Sequence, residues 1–180
     1  MINSEKFYSS WVKNTRRREN EMSQSWNHSS MLTELVIHSD DSIVFNIAED
    51  LRLNCCNRDY YCIDSVFFEE SDLTPGVDGI WLRDMRVAFE HENDFKSGLY
   101  QEVAHLLLLN CDLKVLVTYA NEPVESELGR LHEVISGNRE SQALSEKENF
   151  LIIIGHGIGK LEGWKGFIYK TEQWKCLADG

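Results

Sequence analysis

The chain has 180 residues, 42% hydrophobic and 27% charged, with a net charge of −12. That size and composition describe one soluble domain able to bury a core without staples, and they exclude a disordered or fibrous chain. The negative charge excludes non-specific nucleic-acid binding by the surface as a whole, so cationic contacts must be local. Five cysteines (Cys55, Cys56, Cys62, Cys111 and Cys176) form no C-x-x-C pair, and their number is odd. They read as free thiols in a reducing compartment, and their spacing does not suit a zinc site. The N-terminus lacks the apolar core of a signal peptide, and no run approaches the ~20 apolar residues of a membrane span. A cytoplasmic protein with no membrane partner is expected.

In chain order, Phe7, Trp11 and Val12 fall at helical spacing and predict a helix from about Ser4 to Met22. Residues 1–28 are read as a helical N-terminal extension, and residues 29–180 as a single α/β domain. Arg16-Arg17-Arg18 is the one concentrated basic patch, either a solvated helix face or a phosphate-contacting arm. Ser29-Ser30 caps a helix to about His38. Ser39-Asp40-Asp41-Ser42 caps another, from about Ile43 to Leu53, with Val44, Ile47, Ala48 and Leu51 as its apolar stripe.

Tyr60 to Phe68, rich in β-branched and aromatic residues, predicts a strand. Turn chemistry at Thr74-Pro75-Gly76 separates it from a second strand, Val77 to Leu82, and Met85 to Glu92 makes a third. Asn93-Asp94 caps a helix from Phe95 to Leu109, whose buried face carries Phe95, Leu99, Val103, Leu106 and Leu107. Leu113 to Tyr119 reads as a central strand buried on both faces. A helix from Val124 to about Ile135, a strand from Phe150 to Ile154 and a glycine-rich loop from Gly155 to Gly166 follow. Edge strands at Phe167 to Tyr169 and Trp174 to Leu177 complete the chain.

The most informative stretch is Val87-Ala88-Phe89-Glu90-His91-Glu92-Asn93. Side chains at i and i+2 of a strand share a face, so Glu90 and Glu92 project together while His91 points to the other side. Two such carboxylates repel unless a cation, a proton or a donor lies between them. A hard divalent cation prefers oxygen ligands of this kind. The blander alternative is a pair of acids on a solvated strand end. His91 reads as a packed core histidine. Gly155-His156-Gly157-Ile158-Gly159-Lys160 lacks phosphate-loop spacing and reads as a turn. His105 and His132 sit on predicted helices with no partner at metal-ligand spacing.

With Asp78 ahead of them and this order of elements, residues 43–119 resemble the PD-(D/E)xK, restriction-endonuclease-like superfamily. Val77-Asp78 stands for the family's Pro-Asp pair and Glu90-His91-Glu92 for its (Asp/Glu)-x-Lys triplet. The resemblance implies a three-layer α/β core, a mixed central sheet flanked by helices. It also implies phosphodiester hydrolysis of nucleic acid, DNA rather than RNA, with Asp78, Glu90 and Glu92 holding Mg2+ or Mn2+. Glu49 is the candidate for the further family acid on the first core helix, with Glu34 second. Tyr100 and Gln101 are accessory candidates on the following helix. Glu92 replaces the family lysine, leaving that role to be filled from elsewhere, with Lys96 and Lys114 as candidates. The rival reading is a catalytically inactive nuclease-like fold serving as an acidic protein-interaction or regulatory module. A homodimer would allow cleavage of both strands of a duplex, and a partner protein is the other arrangement considered.

Overall fold

The computed structural model describes residues 2–95, 98–120, 123–156 and 163–177. Its centre is a mixed sheet whose strands lie side by side in chain order. They are β1 (Asn54–Cys56), β2 (Ser65–Phe68), β3 (Val87–Glu92), β4 (Leu113–Ala120), β5 (Phe150–His156), β6 (Trp164–Ile168) and β7 (Lys175–Leu177). β1, β2 and β3 run as an antiparallel meander, β4 and β5 are parallel to β3, and β6 and β7 return antiparallel.

Parallel neighbours need a crossover, and helices supply it. α5 (Leu99–Leu108) joins β3 to β4, while α6 (Glu125–Ser136) and α7 (Ser141–Lys147) lie between β4 and β5. These helices cover one face of the sheet, packing Leu99, Val103, Leu106 and Leu131 on Ala88, Leu116 and Ile152. α1 (Ser4–Arg17), α2 (Glu19–Ser25), α3 (Ser29–Thr33), a π-helical turn (Glu34–His38) and α4 (Ile43–Leu51) supply the other layer. Their apolar faces meet Phe67, Val87, Phe89, Val115, Leu151 and Ile153. The result is a three-layer α/β fold. Every residue of β4 is buried, Lys114 and Thr118 included, as expected of a nearly continuous apolar strand covered on both faces. Among the described residues, no helix is long and apolar enough to cross a membrane.

The segment read as an extension packs into this core. Phe7 and Trp11 are fully buried, with ring centroids 5.8 Å from Phe67 and 6.0 Å from Phe89 respectively. The Asn3 side chain caps α1 by accepting Lys6 N at 2.9 Å, and Ser42 caps α4 by accepting Phe45 N at 3.3 Å.

One expected strand does not form. Val77 to Leu82 lies in an irregular, largely exposed excursion between β2 and β3, closed by a single bridge between Leu73 and Leu82. Gly76 and Gly79 both adopt positive φ (74° and 93°), which interrupts any extended run. The first strand of the meander is instead Asn54–Cys56. Arg52 ends α4 in the left-handed conformation (φ 59°), and the chain enters β1 two residues later. Strand numbering therefore shifts by one, and Ser65–Phe68 becomes the second strand.

Candidate metal centre

β3 alternates across the sheet. Val87, Phe89 and His91 face the α1–α4 layer, and Ala88, Glu90 and Glu92 face α5. His91 is a buried core histidine whose Nε2 lies 2.7 Å from the Tyr119 hydroxyl; burial pushes its pKa down to about 3. Glu90, directly on the other side, is 1% exposed. A carboxylate there is costly unless its oxygens find partners.

One of them does. Glu90 Oε2 accepts the Asp64 backbone N–H at 3.2 Å, and Asp64 Oδ2 accepts the His91 N–H at 2.8 Å. Asp64 immediately precedes β2. The pairing of Ser65 with Phe89 carries Asp64 opposite Glu90, and the two acids interlock across the strand pair. The other oxygen, Glu90 Oε1, is buried without a hydrogen-bond partner among the described residues. It faces His105 Nδ1 at 3.6 Å, and that nitrogen, also buried and unpartnered, lies 3.6 Å from Glu102 Oε2. One ligand atom each from Glu90, Glu102 and His105 lies within 4.8 Å of the others. These gaps are too long for hydrogen bonds. They are close to the spacing of two atoms bound to one first-row cation at about 2.1 Å each.

Glu102 and His105 are one helical turn apart on α5, beside the stripe of Leu99, Val103 and Leu106 that seats the helix on the sheet. Glu92 ends β3 half-buried, its Oε1 accepting the Asp94 N–H at 2.6 Å. Its other oxygen occupies the space of a missing side chain: a Cβ on Gly98 would fall 1.7 Å from Glu92 Oε2. Burial, then the charges of Asp64 and Glu102, push the Glu90 carboxyl well above its ordinary range. Burial likewise raises Asp64 and Glu102, each also feeling the charge of Glu92. Asp64, Glu90, Glu92 and Glu102 thus form one electrostatic unit, with the His105 imidazole at its edge. A proton shared between the Glu90 and Glu102 carboxyls relieves part of the repulsion. A divalent cation bound there would relieve it too, and would also give Glu90 Oε1 and His105 Nδ1 a ligand-bond partner. An imidazole nitrogen among carboxylates fits Mn2+ better than Mg2+.

Of the residues predicted from sequence, Glu90 and Glu92 belong to this cluster. Asp78 does not. It lies in the exposed excursion, where its carbonyl accepts Trp81 Nε1 at 3.1 Å, whereas the acid beside Glu90 is Asp64, immediately before the second strand. Glu49 is also elsewhere, because α4 packs on the opposite face of the sheet and Glu49 is exposed there. Glu34 is exposed on the π-helical turn of that same layer, and Tyr100 and Gln101 are exposed on α5. Lys114 shares the face of Glu90, but its ammonium donates to Cys111 Sγ at 3.5 Å instead. Lys96 and residues 157–160 of the glycine-rich loop lie outside the described residues. Asp64, Glu102 and His105 were missed, although Glu102-x-x-His105 on a helix facing an acidic strand is a legible ligand pair. Comparison with protein-family models and with curated proteins finds no match to the chain.

Proposed function

We propose that the protein is a divalent-metal-dependent nuclease whose cation is held by Glu90, Glu102 and His105. The observation that carries this reading is the buried pair of unpartnered ligand atoms, Glu90 Oε1 and His105 Nδ1, converging on Glu102. The order α4, antiparallel β1–β2–β3, α5 and parallel β4 supports a restriction-endonuclease-like core. So does an acid at the second strand, read on Asp64, beside the acids of the third.

When bound, the cation would polarise a phosphate oxygen and lower the pKa of a bound water. Asp64 fixes the Glu90 carboxylate through its backbone N–H, so the ligand is oriented before the cation arrives. Glu92, at the less buried end of the strand, is the proton acceptor for the attacking water. Its Asp94 hydrogen bond and the Gly98 contact set its position. DNA is the proposed substrate, reached through local contacts given the net charge of −12.

Two observations favour a second reading, an acidic interaction module that binds metal without cleaving. Glu92 stands where the family has lysine, and Lys114, the candidate replacement among the described residues, turns to Cys111. Incubation with single- and double-stranded DNA and RNA in Mn2+ separates the two. Cleavage lost in both Glu90→Gln and Glu92→Gln supports the nuclease. Metal binding with no cleavage of any substrate supports the module.

A further inference from the structure

A second charged site lies at the other end of the sheet, near the start of β4 and β5. Lys114, the second residue of β4, is only 4% exposed, and its backbone N–H donates to the Asn149 carbonyl at 2.9 Å. Among the described residues, the one hydrogen-bond partner of its ammonium is Cys111 Sγ. That sulfur gives no counter-charge, because burial raises the thiol's pKa despite the adjacent ammonium. A buried cation without an anionic partner is costly, so the position calls for one.

The surroundings supply a place for it. Lys114 lines a groove of about 750 Å³ together with Asn138, Arg139, Lys147 and Asn149. Its charged lining is three cations against one acid, Glu140, in a chain of net charge −12. Among the described residues Arg139 is held only by a 3.7 Å contact to that Glu140, with both side chains well exposed, so it can swing inward. Lys147 is exposed and has no ion pair among the described residues. The Asn149 side-chain oxygen is buried without a partner, although the residue lines the groove.

We propose that this groove binds a phosphate group, as free phosphate or as a phosphomonoester, with Lys114 as its buried anchor. Arg139 and Lys147 close on the anion from the rim. A protonated phosphate oxygen can also donate to the Asn149 oxygen, which a fully ionised oxyanion cannot. The volume is ample for the organic part of a nucleotide-sized ester. None of these residues belongs to the metal cluster, so the site stands or falls independently of the nuclease reading.

The test is calorimetric titration, in phosphate-free buffer, with inorganic phosphate and with adenosine monophosphate. Saturable binding of either is expected, weakened about tenfold or more in Lys114→Met and several-fold in Arg139→Gln/Lys147→Gln. Equal affinity for the two probes identifies the phosphate group alone as the ligand. Tighter binding of the nucleotide shows that the groove also reads the ester. Protection of Cys111 from alkylation by bound phosphate, followed by peptide mass, keeps the test decisive if Lys114→Met fails to fold. Absence of saturable binding by wild type at millimolar ligand overturns the proposal. So does binding unchanged in the rim variant with Cys111 unprotected.

Discussion

Two buried carboxylates, Asp72 and Glu90, are 4% and 1% exposed, and the fold treats them in opposite ways. Asp72 receives Arg86 in a two-pronged ion pair, with Nη2 at 2.6 Å and Nε at 2.8 Å, and accepts the Glu69 N–H at 2.8 Å. Every oxygen is satisfied, and the Arg86 hydrogen bonds hold its pKa below the ordinary carboxylate range. Glu90, among the described residues, has one backbone donor and lies against the acids Asp64 and Glu102, sharing a hydrogen bond with the latter, and its pKa is raised. Burial alone therefore says little about purpose. A buried acid whose partners the chain supplies is part of the framework. A buried acid left among other acids, facing an unpartnered imidazole, is where a ligand from outside belongs.

The contrast breaks most visibly by removing a partner. Arg86→Met leaves the Asp72 carboxylate without its ion pair and is expected to cost about 1–3 kcal/mol of unfolding free energy in urea at neutral pH. Glu90→Gln should do the reverse, leaving the metal-free protein equally stable or about 1 kcal/mol more stable while Mn2+ affinity falls about 100-fold. If Glu90→Gln destabilised as Arg86→Met does, Glu90 would be a framework residue after all.

Acid and base sharpen the same difference, with opposite signs. Glu90 binds its proton more tightly folded than unfolded. Its contribution is complete below the ordinary carboxylate range and is lost as pH rises through the raised folded value. Asp72 is lowered by Arg86, so its contribution is present above the ordinary value and is lost as pH falls through the folded one. Melting temperature of the metal-free protein should accordingly decline from mildly acidic to mildly alkaline pH, and Glu90→Gln should flatten that decline. An identical slope in the variant would remove Glu90 as its cause.

Much of this was legible in the residues. The caps at Ser42, the doubly covered β4 and the shared face of Glu90 and Glu92 all follow from local pattern. What failed was a count. Asn54-Cys55-Cys56 is too short and too polar to announce a strand, whereas Val77 to Leu82 has strand-like composition but a positive-φ glycine within it, Gly79, and another just before it, Gly76. With one strand lost and another added, Asp78 falls in the exposed excursion while Asp64 lies beside Glu90. Glu49 lies away from the cluster for a different reason. Helical periodicity shows which face of α4 is buried, but not which face of the sheet that helix covers. Only the register of β2 against β3 reveals that a lone aspartate before Ser65 meets Glu90.

Smaller effects complete the comparison. Gly98→Ala forces its methyl group into Glu92 Oε2, so cleavage should fall about tenfold or more with a stability change of about 1 kcal/mol or less. Kinetic assay beside a thermal melt reads both. Asp78→Ala and Glu49→Ala, on exposed surfaces away from the cluster, should leave metal affinity and activity unchanged.

The most direct measurement is calorimetric titration of Mn2+ into wild type, Glu90→Gln and His105→Ala at mildly alkaline pH. Saturable binding by wild type, with proton release on binding and loss in both variants, is the predicted result. Failure of the folded wild type to bind Mn2+, or full retention of binding by both variants, would contradict the assignment of Glu90, Glu102 and His105 as a metal centre.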